Sequence, residues 1–137
     1  QSRFFNDWLV ERVKRSKREG EKFLLLDGDV MRTPQKLVTP KKAPQKDFEA
    51  KKIIPTGLLF GRDVFRAVGD AREIEKEYDD EFFQAKGERR DAIVFPKSVT
   101  LKFDGDNSRL ALSFELPKGS YATVFLEAIA NREFSAL

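Results

Sequence analysis

Residues 110–129, LALSFELPKGSYATVFLEAI, contain the clearest structural pattern in the sequence. Four apolar residues alternate with small or polar ones at its start: Leu110, Leu112, Phe114 and Leu116. This alternation predicts a β-strand with one buried face. Pro117 ends the strand, and Ser120 is a suitable N-cap for a helix. Apolar residues then recur at helical spacing: Val124, Phe125, Ala128 and Ile129. The stretch therefore predicts a strand, a turn and a final amphipathic helix.

A second alternating stretch lies immediately upstream. Val99, Leu101 and Phe103 are separated by polar residues. Residues 104–108, DGDNS, form a cluster of turn-forming residues between the two stretches. Together they predict a β-hairpin with one buried face.

Two amphipathic helices are predicted before the hairpin. Residues 3–15 and residues 70–86 both carry apolar side chains at three-to-four-residue spacing. In the second helix, Asp70 is the predicted N-cap and Gly87 follows the last turn. Residues 22–26, KFLLL, predict a short buried strand. The predicted fold class is α+β, with amphipathic helices packed on small antiparallel sheets and a C-terminal β-hairpin followed by a helix.

The composition excludes several kinds of chemistry. The 137 residues contain no Cys and no His, which rules out disulfides, thiolate metal sites, Cys nucleophiles and Ser-His triads. Because no apolar run is long enough to span a membrane and no signal peptide is recognisable, we predict a cytoplasmic protein with no membrane partner. The chain starts at Gln1, inside a helical pattern, so we expect it to be a piece of a longer protein.

Positive charge is concentrated in the first part of the chain. Residues 1–52 contain 14 Lys and Arg and 8 Asp and Glu, a net charge of +6, whereas residues 53–137 have a net charge of −3. A basic region indicates a phosphate-rich partner, and a surface rich in solubilising lysines explains it equally well. Residues 32–52 form a Pro/Lys-rich stretch that we predict to be an exposed, partly extended loop.

The final stretch resembles the C-terminal motif of the TruD family of tRNA pseudouridine synthases. In that motif a strand runs into Gly-Ser-aromatic-Ala-Thr and a helix, and residues 119–123 here are GSYAT. Four more segments resemble the family in the same order: residues 2–15 with the Phe5-Asn6 pair, residues 26–29 (LDGD), residues 55–57 (PTG) and residues 87–96 (GERRDAIVFP). Residues 30–52 match nothing in the family pattern.

The resemblance implies an enzyme that converts uridine in tRNA into pseudouridine without a cofactor. An Asp assists cleavage of the glycosidic bond, the uracil turns over, and its C5 rejoins the sugar after the base has left its stack. The catalytic Asp of the family lies in an upstream motif that this sequence lacks. We therefore expect no catalytic residue in this chain and no activity from the chain alone.

The resemblance also divides the chain and indicates its partners. Residues 1–95 correspond to the insertion domain that helps to cradle tRNA, and residues 96–137 to a hairpin and helix of the catalytic domain. The implied partners are tRNA and the missing N-terminal catalytic half of the same protein. Two alternatives stay open: a non-enzymatic RNA-binding module, and a protein-interaction domain that uses the Lys-rich stretch.

Three groups of candidate site residues follow. Tyr121 matches the aromatic position near the family's active site, and a core aromatic at a helix start is the alternative. Arg89 and Arg90 match paired arginines that contact phosphate or form an ion pair with the catalytic domain, and an exposed pair is the alternative. The remaining candidates for contact with the RNA backbone are Lys14, Arg15, Lys17, Arg18, Lys41 and Lys42. The acidic run at 79–81 is interpreted as a solvated helix face, so no metal site is predicted.

Overall fold

The computed structural model describes residues 1–118, 120 and 122–130. The chain divides into two compact units, Gln1–Ile93 and a second unit that begins at Val94. Both combine helices with small antiparallel sheets, so the predicted α+β class is confirmed. No helix among the described residues is long and apolar enough to cross a membrane.

The first unit contains a four-stranded sheet. Its strands are β1 (Met31–Arg32), β2 (Leu37–Val38), β3 (Ile54–Leu59) and β4 (Glu88–Asp91). Their order is β2-β1-β3-β4, and every neighbouring pair is antiparallel. The central strand β3 is the longest, and its middle residues are buried.

Helix α1 (Ser2–Arg18) packs closely against β3. A Cβ atom at Gly57 would lie only 2.6 Å from a ring carbon of Phe5 and 2.6 Å from one of Trp8. Glycine is therefore required at this point of β3, because any side chain would displace α1. Phe5, Trp8 and Ile74 form one buried cluster under the helix.

Helix α3 (Gly69–Glu75) is shorter than predicted. A 3-10 turn follows at Lys76–Tyr78, and the backbone is extended at Asp79, so the prediction of a helix to residue 86 is wrong. The predicted N-cap, Asp70, lies inside the helix instead. The chain leaves the helical path because the Asp79 carboxylate turns inward to accept hydrogen bonds from Arg66. Beyond it, the Phe83 ring packs edge-on against Phe60, with centroids 5.1 Å apart.

Residues 22–26 are not a strand, although Phe23 and Leu25 are buried as predicted. Their backbone groups bond to side chains rather than to a neighbouring strand, which explains the difference from the prediction. The amide of Leu24 donates to Ser16 Oγ at 2.7 Å, and the amide of Leu26 donates to Asp29 Oδ2 at 2.8 Å. Phe23 and Leu25 point into a second core cluster with Met31 and Ile53.

The Lys-rich stretch has more structure than an extended loop. It contains β2 and a short helix, α2 (Gln45–Glu49). The Phe48 ring of α2 packs against Phe23, with centroids 6.4 Å apart. The amide of Ala43 donates to the Asp27 carboxylate at 2.8 Å. These two contacts fix the stretch to the segment that follows α1.

The second unit contains the predicted hairpin and helix. Strands β5 (Lys97–Asp104) and β6 (Arg109–Glu115) pair in an antiparallel register, and α4 (Ala122–Ala130) follows. Phe114 of β6 contacts Phe125 of α4 edge-on, with centroids 4.5 Å apart. Leu101 faces Leu112 across the hairpin and Phe103 faces Leu110, so these four side chains share one face.

Candidate nucleic-acid interface

The C-terminal part of α1 presents its cations to solvent. We call residues 14–18 the α1 tract. Four of its five side chains are exposed: Lys14, Arg15, Lys17 and Arg18. Glu11 is the acidic partner of both arginines, at 3.0 Å from Arg15 Nε and 3.8 Å from Arg18 Nη2. One carboxylate thus serves two guanidinium groups, which leaves the tract with an excess of positive charge.

Arg12 anchors this end of α1 to the rest of the unit. Its guanidinium lies between two rings, 5.3 Å from the centre of Trp8 and 5.0 Å from that of Phe23. It donates to both carboxylate oxygens of Asp29, at 2.7 and 2.8 Å, and to the carbonyl of Leu24 at 2.9 Å. Both charged side chains are almost fully buried. Bidentate pairing and stacking of this kind suit Arg and not Lys.

A groove of about 270 Å³ runs along the same end of α1. Its lining combines three arginines of the helix with one acidic and two apolar residues of the following segment: Arg12, Arg15, Arg18, Glu19, Leu24 and Leu26. Since Arg12 is already bonded to Asp29, Arg15 and Arg18 supply the exposed positive charge of the groove.

The Lys-rich segment (residues 32–52) is the second basic feature. Four of its exposed lysines make no ion pair with any described residue: Lys41, Lys42, Lys46 and Lys52. Asp47 and Glu49 are the only acids between residues 36 and 52, against six lysines. Unpaired ammonium groups on an ordered surface are suited to neutralising phosphate charge.

The two paired arginines differ in position. Arg89 is buried: its side chain is 1% exposed and forms an ion pair with Glu75, which is 2% exposed. Arg89 also donates to the hydroxyl and carbonyl oxygens of Thr56. Burial lowers the pKa of the Arg89 guanidinium, and the Glu75 carboxylate opposes this shift. Arg89 therefore has an internal partner in this chain and is not exposed.

Arg90, the next residue along β4, is exposed. Its guanidinium lies over the Phe5 ring, 5.2 Å from the centre, and its Nη2 is 3.4 Å from Ser2 Oγ. The alternation of a strand explains the difference between the two arginines, because successive side chains point to opposite faces.

The interpretation of the acidic run at 79–81 as a solvated helix face is wrong, because the helical path ends at Tyr78 and the Asp79 side chain is buried. Asp79 is bonded to Arg66 and lies 2.8 Å from Arg72 Nη2. Burial alone would raise the pKa of Asp79, but the hydrogen bonds from the two arginines hold it below its ordinary value. Among the described residues, no group of three or more His, Cys, Asp or Glu side chains could hold a metal ion.

The predicted base-pocket residue, Tyr121, lies outside the residues that the structure describes. Sequence reasoning missed two buried ion pairs, Arg12–Asp29 and Arg89–Glu75. The burial of Arg12 could have been predicted from the sequence. The buried positions of α1 are 5, 8, 12 and 16, so Arg12 continues the buried face of the helix at helical spacing.

Comparisons with known proteins agree with the resemblance in the sequence. The family model described as tRNA pseudouridine synthase D (TruD) matches residues 1–129. The protein named tRNA pseudouridine synthase D from a Nitratiruptor species is 47% identical over 115 residues, which cover 81% of this chain and 32% of the relative. Its namesake from Sulfurimonas denitrificans is 38% identical over 127 residues, which cover 90% of this chain and 35% of the relative. The chain thus spans about a third of the length of these relatives.

The fold also has a solved counterpart. A crystal structure of a putative tRNA pseudouridine synthase D (TruD) from Methanosarcina mazei superimposes with a TM-score of 0.65 at 21% identity. The match covers 95% of this chain and 36% of that one. With the family model matching nearly the whole sequence, the chain belongs to the TruD family, tRNA pseudouridine synthase D.

Proposed function

We propose that this chain is the RNA-cradling and domain-completing part of a cytoplasmic enzyme that isomerises uridine to pseudouridine in tRNA. The observation that carries the proposal is the 47% identity to a relative named tRNA pseudouridine synthase D. In this reaction the bond between uracil N1 and ribose C1′ breaks, and a bond between uracil C5 and C1′ forms. The proton on C5 is lost to solvent and N1 gains one, so the reaction needs no oxidant, reductant or cofactor.

The chain alone is not expected to perform this chemistry. Among the described residues, three carboxylates with side chains at most 3% exposed are already bonded to arginines: Asp29, Glu75 and Asp79. A catalytic Asp must instead reach the ribose or the base. We therefore place the catalytic Asp in the part of the parent protein that this chain does not contain.

Tritium release tests this assignment. With tRNA that carries tritium at C5 of uridine, the 137-residue chain should release no more label than a reaction without protein. The full-length protein that carries this chain should release it with each turnover. Release by the chain alone would overturn the placement of the catalytic Asp, and a full-length protein that binds tRNA without releasing label would favour the non-enzymatic RNA-binding module.

The two parts of the chain that the family resemblance delimits have different proposed roles, and their boundary lies two residues after that of the compact units. Residues 1–95 help to cradle tRNA, and residues 96–137 complete the catalytic domain. The second role is supported by the hairpin, whose apolar face stays largely exposed among the described residues: Leu101 is 64% exposed, Phe103 72% and Leu110 63%. A two-stranded hairpin is marginally stable by itself. The proposed partner for this apolar face is the part of the parent that corresponds to the unmatched two thirds of the Nitratiruptor relative.

Substitution of Phe103 tests the proposed partner. In the full-length protein, Phe103→Ser should lower the free energy of unfolding by about 1.5–3 kcal/mol, because a buried aromatic side chain is lost. In the 137-residue chain the same change should have little effect, since the ring is already exposed. Lys102→Ser, on the opposite face of β5, is the matched control and should be nearly neutral in both proteins. Equal effects of Phe103→Ser in the two proteins would contradict the role of this face.

A further inference from the structure

The two basic tracts border the same short segment of chain. The groove beside the α1 tract is lined by Leu24 and Leu26. The Lys-rich segment is fixed to Phe23 through Phe48, and to Asp27 through Ala43. Residues 23 to 27 span no more than about 14 Å when fully extended. Two tracts that are well separated in sequence therefore contact the same five-residue segment.

The Lys-rich segment is a fixed feature of this surface. α2 is held by the contact of the Phe48 ring with Phe23. The residue after Lys42, Ala43, is held by the hydrogen bond from its amide to the Asp27 carboxylate. Cations on a fixed backbone lose less conformational freedom on binding than cations on a disordered tail. Between residues 36 and 52 the net charge is +4, and the described exposed lysines at 41, 42, 46 and 52 have no acidic partner competing for them.

We propose that the Lys-rich segment and the α1 tract form one phosphate-binding surface that holds the backbone of a single tRNA molecule. This inference rests on the proposed function and adds to it a place of contact on this chain. A nucleic-acid strand carries a phosphate at every nucleotide, so one strand can engage both tracts at once. Lysines neutralise phosphate charge without reading bases, so the surface contributes affinity and position rather than sequence specificity.

Salt-dependent binding of an unmodified tRNA transcript to the full-length protein is the direct test. Three double variants remove two positive charges each: Lys41→Gln/Lys42→Gln, Arg15→Gln/Arg18→Gln, and Lys76→Gln/Lys102→Gln as a matched control on other exposed surfaces. Each of the first two should flatten the slope of log K against log salt by about 2, or about 1 for each lost contact. Their combination should flatten it by about 4, at an unchanged stoichiometry of one tRNA per protein. The control should leave the slope unchanged.

Several results would overturn the proposal. One is a Lys41→Gln/Lys42→Gln slope equal to that of the control. Another is two tRNA molecules bound per protein, with each tract affecting only one of them. Equal binding of poly-L-glutamate and tRNA at matched charge would identify an acidic protein partner instead.

Activity separates this inference from the proposed function. Under the proposal, Lys41→Gln/Lys42→Gln raises the KM for tRNA and leaves kcat unchanged. Tritium release with an unaltered KM would refute the phosphate-binding surface while leaving the proposed enzyme intact. A full-length wild-type protein that releases no tritium would refute the proposed enzymatic activity. The salt dependence of tRNA binding would still test the phosphate-binding surface in that case.

Discussion

Arg89→Met should lower the free energy of unfolding of the first unit by about 3–5 kcal/mol. The change removes the ion pair with Glu75 and leaves that buried carboxylate with Arg72, whose Nη1 lies 3.4 Å from Oε2, as its remaining charged partner. It also removes the donors to Thr56 and to the carbonyl of Phe65. Urea denaturation followed by the fluorescence of Trp8 measures the effect, because Trp8 is the only Trp of the chain and is buried in this unit.

The neighbouring arginine provides the control. Arg90→Met removes the same charge from an exposed position over the Phe5 ring, and should cost only about 0.5–1 kcal/mol. Arg89→Met/Glu75→Leu should recover part of the loss, because no charge is then left buried. If Arg89→Met and Arg90→Met destabilise equally, the buried pair does not stabilise the fold in the way proposed.

The spacing of apolar residues correctly predicted those helices and strands that have one continuous apolar face. The hairpin at β5 and β6 follows from alternating apolar residues around a turn cluster, and α1 follows from its apolar stripe. The end of α3 did not follow from periodicity. Tyr78 and Phe82 continue the four-residue spacing, but the inward turn of Asp79 toward Arg66 ends the helical path. That contact joins residues 13 positions apart, which a local pattern does not contain.

In the candidate site, too, some features were predictable from the local sequence and others were not. The exposure of the α1 tract and of Lys41 and Lys42 was predictable from local charge and sparse apolar residues. The burial of Arg89 was not, since its partner Glu75 lies on α3, 14 residues earlier. Paired arginines in a sequence look equivalent, yet on a strand the two side chains necessarily point to opposite faces.

The other large effect concerns Arg12. Arg12→Met should lower the free energy of unfolding by about 3–5 kcal/mol, because Asp29 is left buried without its charged partner. The change also removes a cation that lies against both Trp8 and Phe23, and the donor to the carbonyl of Leu24. The same urea titration measures it, with Trp8 both the reporter and a direct neighbour of the substituted side chain.

Arg12→Lys distinguishes charge from geometry. Lysine keeps the positive charge but lacks the planar fork that reaches both oxygens of Asp29, so it should recover only a minor part of the lost stability. Arg15→Met, one turn along α1 and exposed, should leave stability nearly unchanged and weaken tRNA binding. The two arginines therefore have opposite expected effects, Arg12 on folding and Arg15 on RNA. Full recovery by Arg12→Lys would show that charge alone stabilises this end of α1, and that the bidentate contact with Asp29 is dispensable.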